Sequence, residues 1–231
     1  MVILFQDDFR TQNFVSWTGT SGNPSVVTNP ILPNSYAAKS VVMGDKYYKD
    51  LNVSDLFVRF YVNFSRVFSG YTEICGIWSV DWANYISITY DGTYWNFGPN
   101  IAYAQRINAN QRYCIEIERK VGVGNGVLNL WIDGVNVGTI DTLTINANAG
   151  QLQLGEPYSA SSVTLYIDNV VVADAYIGPE EVIPANFILS YQSNPIAVPC
   201  TVNGQTLNSG NSIQVPSGTQ VTISVPSEVN V

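Results

Sequence analysis

The sequence contains no histidine, and its 10 Lys+Arg and 18 Asp+Glu leave only 12% of 231 residues charged. The first absence excludes Ser-His-Asp triads, Cys-His pairs and zinc or iron held by imidazole. The second, at a formal net charge of −8, excludes a basic footprint for nucleic acid or an anionic membrane surface. Apolar runs are too short to span a bilayer, so no membrane insertion is expected. Cysteine is scarce. Cys75, Cys114 and Cys200 form no CxxC pair, which excludes a zinc ribbon and a thioredoxin-type motif. Cys75 and Cys114 both fall in expected strands of one domain and are disulfide candidates; the competing reading is three buried thiols. The start, Met1-Val2-Ile3-Leu4-Phe5 running into Gln6-Asp7-Asp8, has neither the basic residue nor the apolar length of a signal peptide.

What is present is apolar and aromatic: 46% hydrophobic residues and 12% Phe, Trp and Tyr, ample for a real core. Ser, Thr, Asn, Gln and Tyr supply the polarity that charge does not. A surface solvated by hydroxyls and amides suits an extracellular or virion-exposed protein. Apolar residues alternate, or run in short blocks of Val, Ile, Tyr and Phe, with turn residues every ten or so positions. The pattern predicts strands at Leu56–Phe64, Thr72–Val80, Tyr85–Tyr90, Tyr94–Phe97, Arg112–Arg119, Gly126–Ile132, Val135–Ile140, Gln151–Gly155 and Thr164–Ala173. Asp91-Gly92 and Asp133-Gly134 sit between such strands as hairpin turns of type I′, which needs two residues that tolerate positive φ. The first domain is therefore expected to be largely an antiparallel meander.

Composition shifts at Ile177-Gly178-Pro179-Glu180-Glu181-Val182-Ile183-Pro184, which reads as a linker. The expected organisation is a jelly-roll sandwich at 1–178, a linker at 179–185 and a small β-module at 186–231. That module, immunoglobulin-like in character, holds about four short strands, with turns at Asn203-Gly204 and Pro216-Ser217-Gly218. The fold class is all-β: an antiparallel jelly-roll β-sandwich with a second, small β-sandwich-like module.

Three stretches resemble the concanavalin A-like lectin/glucanase superfamily, and within it the laminin G-like domains. They are the opening Phe5-Gln6-Asp7-Asp8-Phe9 with Trp17, the hairpin Leu128–Thr139 around Asp133-Gly134, and the closing strand Leu165–Val172 after Leu154-Gly155. The C-terminal piece, at 196–204 and Pro216–Ile223, is similar to repeated β-modules of archaeal and bacterial surface proteins. Glycosidases of the superfamily carry Glu-x-Asp-x-x-Glu on a strand, and that motif is absent here. The nearest pair, Glu116 and Glu118, lies on one strand face about 7 Å apart. Arg119-Lys120 follow directly, so a solvated outer face is expected there and the protein is expected not to be an enzyme. The resemblance also implies that the first and last strands are neighbours, which makes Asp7, Asp8 and Asp168 candidate ligands of a structural calcium ion.

Sugar rings stack on aromatic faces, because their axial C–H groups present an apolar patch to the π-system. Trp78, Trp82, Tyr85, Tyr94, Trp95 and Tyr103 are the candidate carbohydrate-binding residues. Trp82, Tyr94 and Tyr103 lie near turns and are the expected exposed members; the competing reading places most of these rings in the core. Asn52-Val53-Ser54 and Asn63-Phe64-Ser65 match the N-glycosylation pattern. Two functions follow as expectations. One is a glycan-binding attachment module on a cell or virion surface. The other is a structural appendage, such as a turret, spike or capsid decoration, that docks on neighbouring copies as a homo-oligomer. Partners are accordingly glycans, glycoproteins or neighbouring subunits.

Overall fold

A computed structural model describes residues 1–32, 35–68, 72–83, 85–98, 101–155, 163–180, 186–193, 198–216 and 221–225. In chain order the strands are β1 (Ile3–Asp7), β2 (Gly19–Ser21), β3 (Ser25–Thr28), β4 (Tyr36–Ser40), β5 (Lys46–Val53), β6 (Leu56–Phe64) and β7 (Thr72–Ser79). There follow β8 (Tyr85–Tyr90), β9 (Tyr94–Phe97), β10 (Ile101–Ala104), β11 (Arg112–Lys120), β12 (Gly122–Ile132), β13 (Val135–Ile145), β14 (Ala149–Gly155) and β15 (Leu165–Ala173). The last five are β16 (Asn186–Ser190), β17 (Cys200–Val202), β18 (Gln205–Leu207), β19 (Ser212–Pro216) and β20 (Ile223–Ser224). There is no helix among the described residues, so none that could cross a membrane.

Two antiparallel sheets build the first unit, Met1–Pro179. The first sheet has eight strands in the order β13-β12-β11-β6-β15-β4-β3, with β1 also paired to β15. The second has seven, β10-β9-β8-β7-β14-β5-β2. Short runs such as β7 to β10 and β11 to β13 do form the expected meander. The whole does not, because β14 inserts between β7 and β5, and β15 between β6 and β4. Each late strand fills the middle of a sheet begun early in the chain. Local alternation specifies strands and hairpins but carries no signal for that insertion.

Alternation decides what the sheets bury. On β6, Leu56, Val58, Phe60, Val62 and Phe64 enter the core shared with Ile74, Ile77 and Ile88 of the second sheet. The intervening Phe57, Arg59, Tyr61 and Asn63 face away, yet they are buried too. The chain after β15 crosses that outer face. Glu116 on β11 accepts hydrogen bonds from the backbone N–H groups of Ile177 (2.7 Å) and Gly178 (2.8 Å), and Arg59 donates to the Gly178 carbonyl at 3.2 Å. This overturns the expected solvated face: Glu116 is 1% and Glu118 5% exposed. A charged pair on a strand reads as solvated only while nothing crosses above it. Burial raises the Glu116 pKa, although the two amides and Arg59 pull it down.

The Asp133-Gly134 turn is of the expected type, with φ of 51° and 80° and Ile132 paired to Val135. Asp91-Gly92 is not. The Asp91 N–H donates to the Tyr94 carbonyl at 3.2 Å, so the two loop residues are Gly92 and Thr93, and of these only Gly92 has positive φ. The Asp91 carboxylate also accepts from the N–H groups of Thr93 and Tyr94 at 2.9 and 2.8 Å, which ties the turn from its first residue. The disulfide expectation also fails. Cys75 lies in the core between the sheets, whereas Cys114 faces outward from the first sheet, and both are free thiols, as is Cys200. Burial raises the pKa of both, that of Cys114 to about 11.

The second unit, Glu180–Val231, pairs β16 with β19, and β17 with β18 and β20. Its core is small: Cys200, Val202 and Leu207, with Leu189, Tyr191 and Ile213 packed on them. Asn203 and Gly204 make the predicted turn with φ of 49° and 81°. Residues 181–185 of the expected linker at 179–185, the turn residues Ser217 and Gly218, and residues 196–197 and 217–220 of the surface-module resemblance lie outside the described residues.

Candidate functional site

The six predicted aromatic residues separate into three groups. Trp95 is fully buried, with ring centroids 5.4 Å from Tyr90, 5.9 Å from Phe64 and 5.7 Å from Tyr113. It is a core residue and not a ligand contact, because its strand position points between the sheets. Tyr103 is half-buried and packs on the same core, so its expected exposure at a turn is not met. Tyr94 is 42% exposed but sits opposite Asp91, six residues along from Tyr85, or about 20 Å.

The remaining three converge. Trp78 on β7 and Tyr85 on β8 are directly opposite in the ladder, and their rings stack at 4.2 Å with 27° between planes. Trp82, in the turn between those strands, approaches Trp78 at 5.5 Å and 47°. It is 57% exposed. Its backbone is held at φ 58°, uncommon for a bulky residue. The local sequence supports that conformation: the Asp81 carboxylate accepts from the Ala83 N–H at 3.1 Å and from the Ser79 hydroxyl, while the Trp82 N–H donates to the Ser79 carbonyl at 3.0 Å. Strain of this kind costs about 1–3 kcal/mol and concentrates at functional sites.

Polar side chains extend the aromatic shelf across the outer face of the second sheet. Gln151 lies opposite both Trp78 and Asp50, and Gln153 opposite both Gly76 and Tyr48. Gln153 Nε2 donates to Gln151 Oε1 (2.5 Å), and Gln151 Nε2 to Asp50 Oδ1 (2.8 Å). The Tyr85 hydroxyl donates to Glu73. Gly76 leaves the space in which Tyr85 lies, since a Cβ there would stand 2.3 Å from the Tyr85 hydroxyl oxygen and 2.7 Å from Cζ. Gly19 plays the same part under Tyr48, at 2.4 Å. Tyr48, Asp50, Glu73, Gln151 and Gln153 escaped the sequence reading. Their only signal is alternation within β5, β7 and β14, and it becomes a site only when strands distant in sequence are set side by side.

The predicted metal ligands do not come together. Strands β1 and β15 are indeed neighbours, with Asp7 opposite Val170. Asp7, however, turns inward to accept from Trp17 Nε1 (2.9 Å) and the Phe9 N–H (2.8 Å), and burial raises its pKa. Asp8 is exposed and pairs with Arg10 at 3.0 Å. Asp168 faces outward, bound by Arg112 at 2.7 and 3.2 Å and by the Asn29 amide. Adjacent residues on a strand point to opposite faces, so three acids near one strand end need not share a site. No three acids or cysteines stand together as a metal site among the described residues. Of the glycosylation patterns, Asn63 is 3% exposed and shut off from modifying enzymes, while Asn52 is exposed.

No family model matches this chain, and no curated protein does. Solved structures do. The protein Cip1, a cellulose-induced protein, matches at a TM-score of 0.58 with 14% identity, over 76% of this chain and 100% of that one. Domain 4 of AbnA, an extracellular arabinanase from Geobacillus stearothermophilus, solved with arabinotriose, gives 0.52 at 14% identity over 74% and 92%. The binding domain of botulinum neurotoxin DC, solved with SialylT, gives 0.51 at 15% over 69% and 42%. Identity this low establishes the fold alone. The fold is that of the concanavalin A-like lectins and glucanases, as the sequence resemblance implied.

Proposed function

We propose that this protein is a non-catalytic glycan-binding module of an extracellular surface, and that it binds sugar on the Trp78–Trp82–Tyr85 shelf. The observation that carries the reading is Trp82. A large aromatic side chain is held exposed by a backbone conformation that costs energy, next to a stacked pair of rings. The amide and carboxylate groups of Gln151, Gln153, Asp50 and Glu73 supply acceptors and donors suited to sugar hydroxyls. Likeness to an arabinanase domain solved with arabinotriose supports the same class of ligand. The non-catalytic reading is supported by Glu116, which is occupied in holding the chain after β15. None of the relatives named above is a virion protein, and the attachment role is proposed without one. A glycan array is the direct test: Trp82→Ala is expected to lose about 2 kcal/mol, near thirtyfold in affinity. Unchanged array signal in that variant would remove the shelf from consideration. Polysaccharide cleavage that vanishes in Glu116→Gln would overturn the non-catalytic reading.

A further inference from the structure

Beside the shelf a cleft of about 320 Å³ opens between the edges of the two sheets. Tyr85, Ser87 and Gly98 line it from the second sheet, and Leu128, Leu143 and Ile145 from the first. Tyr85 therefore borders both features: its ring stacks on Trp78, and the residue also lines the cleft. Gly98 sets the width. Its φ is 54°, its N–H donates to the Ser87 carbonyl at 3.1 Å, and a Cβ there would lie 3.0 Å from Leu128 Cδ1. The volume stands at the lower end of small-molecule pockets and is too small for a strand or a helix. Ile86, Leu128, Leu143 and Ile145 stand there beside the hydroxyls of Ser87 and Thr144, a lining that suits an apolar group better than an unsubstituted sugar, most of whose hydroxyls would lose water there.

We infer that the cleft receives a short apolar group carried by the bound sugar, an O-acyl, alkyl or aryl substituent, while the sugar ring lies on the shelf. The inference rests on the glycan-binding reading above. It assigns the ligand to the substituted glycans and glycolipid headgroups, in preference to bare polysaccharide. The sugar ring contributes stacking, and the substituent contributes burial of apolar surface.

The test is a calorimetric titration of the full chain with matched methyl and n-hexyl glycosides of glucose, galactose and mannose, together with 1-hexanol alone. For the sugar that binds, the hexyl glycoside is expected to bind at least tenfold tighter than the methyl glycoside. Leu143→Trp, which fills the cleft, should erase that difference and leave methyl glycoside affinity unchanged. Thr144→Trp at the exposed rim is the second variant, should Leu143→Trp fold poorly. Equal affinity for the two glycosides, or a hexyl preference that survives both variants, overturns the inference. Hexanol binding as tight as hexyl glycoside, with no methyl glycoside bound, overturns instead the sugar on the shelf, and with it the reading on which the inference rests.

Discussion

At the scale of the residue, the shelf depends on small groups that let large ones lie flat. Gly76 leaves the space that Tyr85 occupies, since a Cβ would meet the far end of that ring. Gly76→Ala is expected to fold normally but to push Tyr85 off Trp78, weakening glycan binding several-fold; circular dichroism and titration on one sample would separate the two effects. Asp45 shows the same economy in a loop. Burial pushes its carboxyl up, but the N–H groups of Asn23, Val41 and Val42 donate to it at 2.8, 3.0 and 3.1 Å and hold it below its ordinary 3.8. A depressed folded pKa means stability that is present above 3.8 and lost as pH falls through the lower folded value. Asp45→Asn should therefore be less stable near neutrality and lose less on acidification below pH 4, as urea midpoints across pH would report. Asp7 works in the opposite sense: burial raises its pKa, so its contribution falls as pH rises from 3.8 toward the folded value. Which aromatic residues were exposed was only partly legible. Trp82 and Tyr94 followed from their turns, but Trp95 and Tyr103 needed the strand faces.

At the scale of the element, strands were the most legible feature. Leu56–Phe64, Tyr85–Tyr90 and Tyr94–Phe97 match β6, β8 and β9 residue for residue. In β6 and β8 the cause is period-two alternation with β-branched and aromatic side chains. The short strands β2, β3 and β4 were missed, being polar or only three to five residues long. Ile177 and Gly178 belong to the stretch that reads as a linker in the sequence, yet with Tyr176 they form a strap across the first sheet. Tyr176 closes over Trp131 at 5.2 Å and Phe57 at 6.5 Å, and Glu116 holds the backbone beside it. Removing that carboxylate leaves the N–H groups of Ile177 and Gly178 without their acceptor and takes a neighbouring negative charge away from Arg59. Glu116→Ala should cost about 2–3 kcal/mol in chemical denaturation, whereas a surface carboxylate such as Asp141 should cost almost nothing when replaced.

At the scale of the whole molecule, the two units differ in how much core they own. Met1–Pro179 encloses one large cluster drawn from both sheets, whereas the cluster in Glu180–Val231 centres on Cys200, Val202 and Leu207 among the described residues. A core of that size supports little stability by itself. Scanning calorimetry is expected to show two transitions, the lower one absent from a chain ending at Pro179; one cooperative transition lost on truncation would reject it. The sequence alone determined the all-β class and most strands and hairpins. These are local or compositional properties, carried by alternation and by residue chemistry. Only the tertiary structure decided that β14 and β15 enter the middle of their sheets, that Glu116 is buried, that Asp7 and Asp168 face apart, and that Trp78, Trp82 and Tyr85 share a face with Gln151. Those outcomes depend on which strands become neighbours. Pairing between segments far apart in the chain is fixed by packing the inner faces of both sheets into one core at once, a constraint that no local stretch of sequence contains.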